Sequence, residues 1–174
     1  MFQSLLVRTG WLCLALVSLS GLSFAQTKVA IINLQRAVLE SNEIKKASVA
    51  LETKFKPRQQ ELEKLQQDIE QIQQRLQTGQ DKLTPQAVAD YQAEGTRKQT
   101  MLQRKTEDLQ KDVDAERNEI LAKSTKQMQE VVAKLAAEKG YDVVIDVSTT
   151  VFFKPALEIT SDAITAYNAA YPGK

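Results

Sequence analysis

The sequence contains no histidine, and its single cysteine (Cys13) and single tryptophan (Trp11) both lie among the first 25 residues. Without histidine or a second cysteine, nucleophilic triads, zinc sites and disulfide bonds are largely excluded. Glycine is scarce, and none of the G-x-x-x-x-G-K-[ST] loops that hold a nucleotide phosphate occurs. We therefore expect a protein that is not an enzyme and that holds no metal or other cofactor.

A strong net charge is also absent. The 23 basic and 22 acidic residues give the full chain a charge of +1, which becomes zero if Arg8 is removed with the N-terminal segment. Nucleic-acid-binding proteins usually carry a basic field that neutralises phosphates. The sequence therefore predicts that nucleic acid is not a partner.

The first 25 residues have the pattern of a secretory signal peptide. Arg8 provides a positive start, residues 11–19 form an apolar core, and Ser23 and Ala25 are small residues at positions −3 and −1. The apolar core is shorter than the ~20 residues that a membrane-spanning helix needs. We predict cleavage near Ala25 and export to the periplasm of a double-membraned bacterium.

Residues 42–139 are rich in Gln, Lys, Glu and Leu, and turn-forming residues interrupt them at 78–85. Before this break, apolar residues recur at alternating steps of three and four, the heptad pattern of a helix that packs against one partner. These hairpin seam residues are Leu62, Leu65, Ile69, Ile72 and Leu76. Because a short loop makes consecutive helices antiparallel neighbours, we predict a helical hairpin with its tip near residues 78–85.

Individual residues mark where the helices of the hairpin begin, bend and end. Thr84 followed by Pro85 is a typical helix start, and Gly140 is a typical stop. Pro57 removes one backbone hydrogen bond and is expected to kink the first helix. The two arms are unequal in length, so one of them must overrun, bend or begin nearer the base.

The remaining segments, 26–41 and 140–174, predict a small base that contains β-structure. Their patterns predict three strands, at residues 28–33, 141–147 and 151–153. They also predict a linking helix at residues 34–41 and a terminal helix at residues 162–171. Thr160 or Ser161 is expected to cap the terminal helix. Asp142 and Asp146 share one face of the second strand, which we expect to be solvated.

A base of roughly 50 residues without a disulfide is normally too small to sustain its own core. We therefore predict that the base is an oligomerisation body, in which open sheet edges pair between copies. The residues expected in it are Val29, Ile31, Val143, Ile145, Val147 and Phe152. A monomer stabilised by the hairpin alone is the alternative. The expected fold class is α+β, mainly α.

Two local motifs accompany this order of elements: FKPRQQEL at residues 55–62 and FFKPALEIT at residues 152–160. With the whole arrangement, they resemble the Skp (OmpH) family of periplasmic chaperones. The resemblance implies a homotrimer whose strands form an intersubunit β-barrel, with three helical tentacles around a cavity. It also implies an ATP-independent holdase that binds unfolded outer-membrane proteins and prevents their aggregation.

The distal part of the second arm is where client contact is expected, because it has methionine and apolar residues outside the regular seam. Residues 75–105 contain six basic and three acidic residues, a skew that can attract acidic clients or anionic lipid and lipopolysaccharide headgroups. The candidate client contacts are Leu83, Val88, Tyr91, Arg97, Lys98, Met101, Leu102, Arg104 and Lys105. Each of them can instead pack the two arms together or belong to an ordinary solvated face.

An exported structural or adaptor protein, which docks a partner through its hairpin tip, is the alternative function. Such adaptors usually carry lipoyl-like and barrel domains beside the hairpin, for which this base is too short. A coiled-coil spacer is a third alternative, and the irregular second arm speaks against it.

Overall fold

The computed structural model describes residues 27–79 and 82–172, so the predicted signal peptide and its cleavage site lie outside the described residues. The elements, in order, are β1 (Val29–Ile32), α1 (Leu34–Leu39), α2 (Asn42–Thr78), α3 (Pro85–Lys139), β2 (Val143–Asp146) and α4 (Thr160–Ala170). Two short 3-10 helices, Val147–Thr149 and Pro155–Leu157, connect β2 to α4. The protein is mainly helical with a small strand component, as predicted.

Side-chain caps define the ends of the two long helices. The Ser41 hydroxyl accepts a hydrogen bond from the Ile44 amide at the start of α2. The Thr84 hydroxyl does the same for the Ala87 amide at the start of α3, at 3.2 Å. Gly140 ends α3 in the left-handed conformation (φ 68°), which a residue with a Cβ adopts only at a cost. The predicted start of the second arm at Thr84 and Pro85 and its predicted stop at Gly140 are confirmed.

The inequality of the two arms is explained by α3, which overruns the hairpin and enters the base. Helix α2 has 37 residues and α3 has 55, so α3 is longer by roughly 27 Å at 1.5 Å per residue. The last turns of α3 contribute Met128, Val131 and Leu135 to the core of the base. Helix α2 is continuous through Pro57, and the predicted kink there stays a prediction.

Strands β1 and β2 are parallel, with Val29 opposite Val143 and Ile32 opposite Asp146. Parallel neighbours need a long crossover connection, and here the whole hairpin provides it. On the other edge of β1, the Ile159 amide donates to the Ile31 carbonyl at 2.9 Å, and Glu158 forms a β-bridge with Ile31.

The prediction of a third strand at residues 151–153 is wrong. These residues have no strand assignment, and the Val151 side chain is fully exposed while Phe152 is 81% exposed. Both edges of β1 are occupied, one by β2 and the other by residues 158–159, and residues 151–153 do not pair with the open edge of β2 either. The segment at 151–153 therefore passes outside the sheet.

The core of the base draws on most of the nearby elements. Its buried side chains come from β1, α1, the first turn of α2, the end of α3, and α4 with the residue before it, namely Ala30, Ile32, Ala37, Val38, Ile44, Met128, Val131, Leu135, Ile159, Ala163 and Tyr167. The hairpin thus supplies part of the core that segments 26–41 and 140–174 cannot build alone. The small size of those segments is consequently a weaker reason for self-association than the sequence indicates.

The terminal helix begins without the predicted hydroxyl cap. Helix α4 starts at Thr160, and its N-cap residue, Ile159, makes no side-chain capping bond. The Thr160 hydroxyl instead accepts a hydrogen bond from the Asn33 amide and donates to the Glu158 carboxylate, both at 2.9 Å. The Thr160 hydroxyl therefore joins α4 to the end of β1 and does not cap the helix. The predicted hydroxyl cap is wrong.

Two aspartates hold the ends of β1. The Lys28 amide donates to the Asp142 carboxylate at 2.7 Å, and the Leu34 amide donates to the Asp146 carboxylate at 3.1 Å. Asp146 also accepts a 2.8 Å bond from the Ser148 amide, and hydrogen bonding to Ser148 is the main reason that the pKa of Asp146 is lowered. Asp142 is exposed, as expected, whereas Asp146 is half-buried and borders a cleft that residues of α3 also line. The expectation of a solvated face is therefore wrong for Asp146.

Candidate interaction surfaces

The sheet presents apolar side chains on the face that points away from the core. Alternation along β2 turns Val144 toward the core, while Val143 and Ile145 remain 45% and 36% exposed. Val151 and Phe152 add two further exposed apolar side chains just after β2. Exposed apolar side chains on a sheet face and beside it are typical of a surface that another protein covers. We call Val143, Ile145, Val151 and Phe152 the outer sheet patch.

The residues predicted for oligomerisation are distributed between the outer sheet patch and the protein interior. Val143, Ile145 and Phe152 belong to the patch. Val29 and Val147 are half-buried, and Ile31 is buried. Within the described residues β2 pairs only with β1, so its outer edge has backbone groups free for another strand. Val151 was not among the oligomerisation residues expected from the sequence. Its full exposure in the structure identifies it as a further candidate.

The seam residues of the first arm lie where α2 packs against α3. Leu65, Ile69 and Ile72 are buried, and Leu62 and Leu76 are half-buried. On the opposite arm, a Cβ added at Gly95 would lie 3.5 Å from Ile72, which is an ordinary van der Waals contact. Because Gly95 has no side chain, the second arm contributes no side chain at this position to the packing against Ile72.

Two of the candidate client contacts are lysines that bind the first arm. The Lys98 ammonium group lies 2.8 Å from the Asp68 carboxylate, and Lys105 lies 2.8 Å from Glu61. The hydrogen bond between Lys98 and Asp68 lowers the pKa of Asp68 and raises the pKa of Lys98. Both lysines are therefore partly engaged within the hairpin, whatever else they contact.

Other candidate contacts also pack within the hairpin. The Arg75 guanidinium lies 5.9 Å from the centre of the Tyr91 ring, within the range of a cation–π interaction. At the tip, the Leu83 amide donates to the Gly79 carbonyl at 2.9 Å. A Cβ on Gly79 would lie 2.7 Å from the Arg75 carbonyl oxygen and 2.8 Å from the Leu83 side chain, so the close approach to the backbone requires glycine. Val88 is half-buried.

Three candidate contacts face solvent on one side of α3. Met101 is exposed, with Arg97 four residues before it and Arg104 three residues after it. This spacing places the three side chains on one helix face. Leu102, next to Met101, is half-buried and lines a shallow cleft with Ile69 of the first arm. Arg97, Met101 and Arg104, which we call the distal stripe, are the candidate contacts most open to a client.

Within residues 27–79 and 82–172, no group of three or more Asp, Glu, His or Cys residues could hold a metal ion. In the same part of the chain, no helix combines the length and the apolar character needed to cross a membrane.

Comparisons with known proteins decide the family of the chain. A family model described as outer membrane protein (OmpH-like) matches residues 28–167. The chain belongs to the OmpH-like family. This confirms the resemblance to Skp (OmpH) proteins that the sequence indicated.

Named relatives of this OmpH-like chain include chaperones. It is 27% identical over 146 residues to a Skp-like protein of Pseudomonas aeruginosa, covering 84% of this chain and 87% of the relative. It is also 27% identical over 165 residues to the chaperone protein Skp of Yersinia enterocolitica, covering 88% of this chain and 96% of the relative. A crystal structure of a putative OmpH-like outer membrane chaperone from Caulobacter crescentus has the same fold, with a TM-score of 0.72, 21% identity and coverage of 86% and 89%.

A buried polar cluster in this OmpH-like protein was missed by sequence reasoning. The Tyr167 side chain is completely buried, and its hydroxyl donates to the Glu43 carboxylate, with the Gln127 amide 3.1 Å away. The other oxygen of Glu43 lies 3.5 Å from the Lys123 ammonium group. Burial, followed by the hydrogen bond to Glu43, raises the pKa of Tyr167. The cluster joins α4 to the root of both arms and has no sequence motif that could have revealed it.

Proposed function

We propose that this chain is an ATP-independent holdase chaperone of the periplasm, which binds unfolded outer-membrane proteins and prevents their aggregation. The observation that carries the proposal is a long hairpin with exposed apolar and basic side chains, projecting from a base whose outer sheet patch is uncovered. Membership in the OmpH-like family supports the same function.

The outer sheet patch supports assembly of the chain into an oligomer, and the resemblance to Skp proteins favours a trimer. Covering Val143, Ile145, Val151 and Phe152 would remove apolar surface from water, which favours association. The open edge of β2 offers main-chain hydrogen bonds to the same neighbour. In such an assembly, segments 26–41 and 140–174 form the body and residues 42–139 form the tentacles.

A holdase needs many weak contacts rather than one tight site. Several tentacles around one cavity provide them, because each further contact with a bound client is effectively intramolecular. The distal stripe suits this role: a flexible methionine adapts to different apolar segments, and the arginines on either side attract acidic ones. The same arginines are the side chains best placed to contact anionic lipid or lipopolysaccharide headgroups.

The decisive experiment is an aggregation assay. A urea-unfolded outer-membrane β-barrel is diluted into buffer with or without an excess of this protein, and light scattering is recorded. We expect scattering to be suppressed without ATP. Unchanged scattering in the presence of excess assembled protein would reject the holdase function. It would leave the alternative of an adaptor that docks a partner through its hairpin tip.

Assembly is tested separately by sedimentation of the exported chain. We expect a trimer at micromolar concentration, and a Phe152→Glu variant should dissociate because it places a charge in the outer sheet patch. A matched control is Val49→Glu, since Val49 is exposed on α2, away from the sheet. A monomeric wild-type protein would contradict assembly through the base.

A further inference from the structure

The charges of the two arms are arranged in blocks that the zero net charge of the exported chain conceals. In the first arm, residues 45–58 contain five basic residues and one acidic residue, whereas residues 61–70 contain four acidic residues and one basic residue. The second arm has the opposite order. Residues 97–105 contain four basic and no acidic residues, and residues 107–119 contain six acidic and two basic residues.

The hairpin brings blocks of opposite sign together. Near the base, Lys54 and Arg58 of α2 pair with acidic side chains of α3, Glu116 and Asp112 respectively. Toward the tip the polarity reverses, because α2 supplies the acid and α3 the base in the pairs Glu61–Lys105 and Asp68–Lys98. At the root of the hairpin, Glu43 of α2 and Lys123 of α3 form a fifth pair, in which α2 again supplies the acid. Among the described residues, five ion pairs thus join the two long helices, and their sign changes twice along the hairpin.

The apolar seam alone specifies the alignment of the arms only weakly. A heptad pattern is satisfied again after a slip of seven residues, and the returning arm is irregular. Of its side chains distal to the base core, Leu109 is buried while Leu102 is half-buried. Gly95 contributes no side chain opposite Ile72. A narrow seam of this kind leaves room for charge to choose between alignments.

We propose that the complementary charge blocks select the register in which the two arms pair. Sliding α3 by one heptad in one direction would place Asp112 opposite Glu61. Sliding it by one heptad in the other direction would place Lys105 opposite Arg58. Each slip replaces at least one of these attractions by repulsion, as charged positions beside the seam do when they set partner choice and orientation in coiled coils. Of these three alignments, the native register is the one that places no like-charged pair at the ion-paired positions.

The test reads the register by cross-linking. Cys13 is the only native cysteine, so in the chain expressed from residue 26 two introduced cysteines report one alignment. Ile72→Cys with Gly95→Cys reports the native register, and Ile72→Cys with Leu102→Cys reports a slip of one heptad. Intramolecular disulfide yields are measured at low ionic strength, and circular dichroism checks that each variant remains helical.

The charge variant is Glu61→Lys with Asp68→Lys, which places lysines opposite Lys105 and Lys98. We expect the native cross-link to fall by about threefold or more, through slipping or fraying of the distal arms. Adding Lys98→Glu and Lys105→Glu reverses both partners and should restore it. The matched control, Glu63→Lys with Glu70→Lys, changes the net charge equally at two exposed positions without a cross-arm ion pair among the described residues, and should keep the wild-type yield.

Salt provides a second measurement. At 1 M salt the screening length is about 3 Å, so the charge-reversed variant should regain most of its native cross-link. If the reversed variant is not helical, Asp68→Lys alone and its partner-swapped form with Lys98→Asp replace it. A native cross-link that is unchanged by charge reversal would overturn the proposal. So would a loss that the partner swap fails to restore, since that result would indicate packing rather than charge.

Discussion

Removing the hydroxyl of Tyr167 should destabilise the base, because it leaves a charged hydrogen-bond acceptor without its donor. Tyr167 is completely buried, and its hydroxyl donates to Glu43. The Glu43 side chain is only 20% exposed, so water replaces the lost donor poorly. A tyrosine is protonated at pH 7 even at its ordinary pKa of about 10, and the pKa of Tyr167 is raised further, so the hydroxyl has its proton to donate at neutral pH.

The size of the effect follows from the type of bond. A hydrogen bond to a charged group contributes about 1.5–3 kcal/mol, and the Tyr167→Phe substitution keeps the ring that fills the core. We expect a loss of about 2 kcal/mol, which corresponds to a fall in Tm of about 4–8 °C for a chain of this size. Thermal unfolding followed by circular dichroism measures it.

The control is Tyr171→Phe, whose ring lies 5.0 Å from that of Tyr167 but which has no recorded side-chain hydrogen bond in the described part of the chain. It should change stability by less than about 0.5 kcal/mol. A double-mutant cycle with Glu43→Gln should give a coupling energy of about 0.5–3 kcal/mol. A Tyr167→Phe variant as stable as the wild type, or a coupling energy near zero, would refute the role assigned to this contact.

Four further substitutions test the hairpin and the base. Ile69→Ala should cost about 2–4 kcal/mol in urea unfolding because Ile69 is buried in the seam, whereas truncation of the exposed Val49 to alanine should cost less than about 0.5 kcal/mol. Gly95→Ala should stabilise the protein by up to about 1 kcal/mol, since its Cβ has room and alanine favours helix. Gly140→Ala should instead destabilise it by about 1–2 kcal/mol, because φ is positive there. The lowered pKa of Asp146 gives stability that is complete above its ordinary pKa of about 3.9 and is lost as the pH falls through the lower folded value. Asp146→Asn should therefore show a smaller loss of stability than the wild type between neutral pH and pH ~2 in acid unfolding curves, and an identical loss would exclude Asp146 as a cause.

The helical hairpin was predictable because its signals are local. The apolar steps from Leu62 to Leu76 define a helix face, and Thr84, Pro85 and Gly140 supply the start and stop of α3 within a few residues of sequence. Family membership was equally accessible, since the FKPRQQEL and FFKPALEIT motifs can be read directly. The strands were less predictable. The apolar run at 151–153 has the composition of a strand, but in the fold both edges of β1 are occupied and the run does not pair with β2.

For the candidate client contacts too, the sequence supplied one part of the answer and the tertiary structure the other. Sequence placed nine of them on the distal hairpin, but it could not separate Lys98, which binds Asp68, from Arg97, which faces solvent one residue earlier. That distinction depends on which helix face the partner arm covers. The boundary of the base was also hidden, because Met128, Val131 and Leu135 belong to the hairpin in sequence and to the base core in space.

By itself the sequence determined the long hairpin, its end points and the absence of histidine. These properties follow from residue types and from periodicities within a few turns of helix. The tertiary structure alone decided the parallel pairing of β1 with β2, the exposure of the outer sheet patch and the position of α3 in the core. Such properties depend on segments more than 100 residues apart competing for the same edges and faces, and no local pattern records the result of that competition.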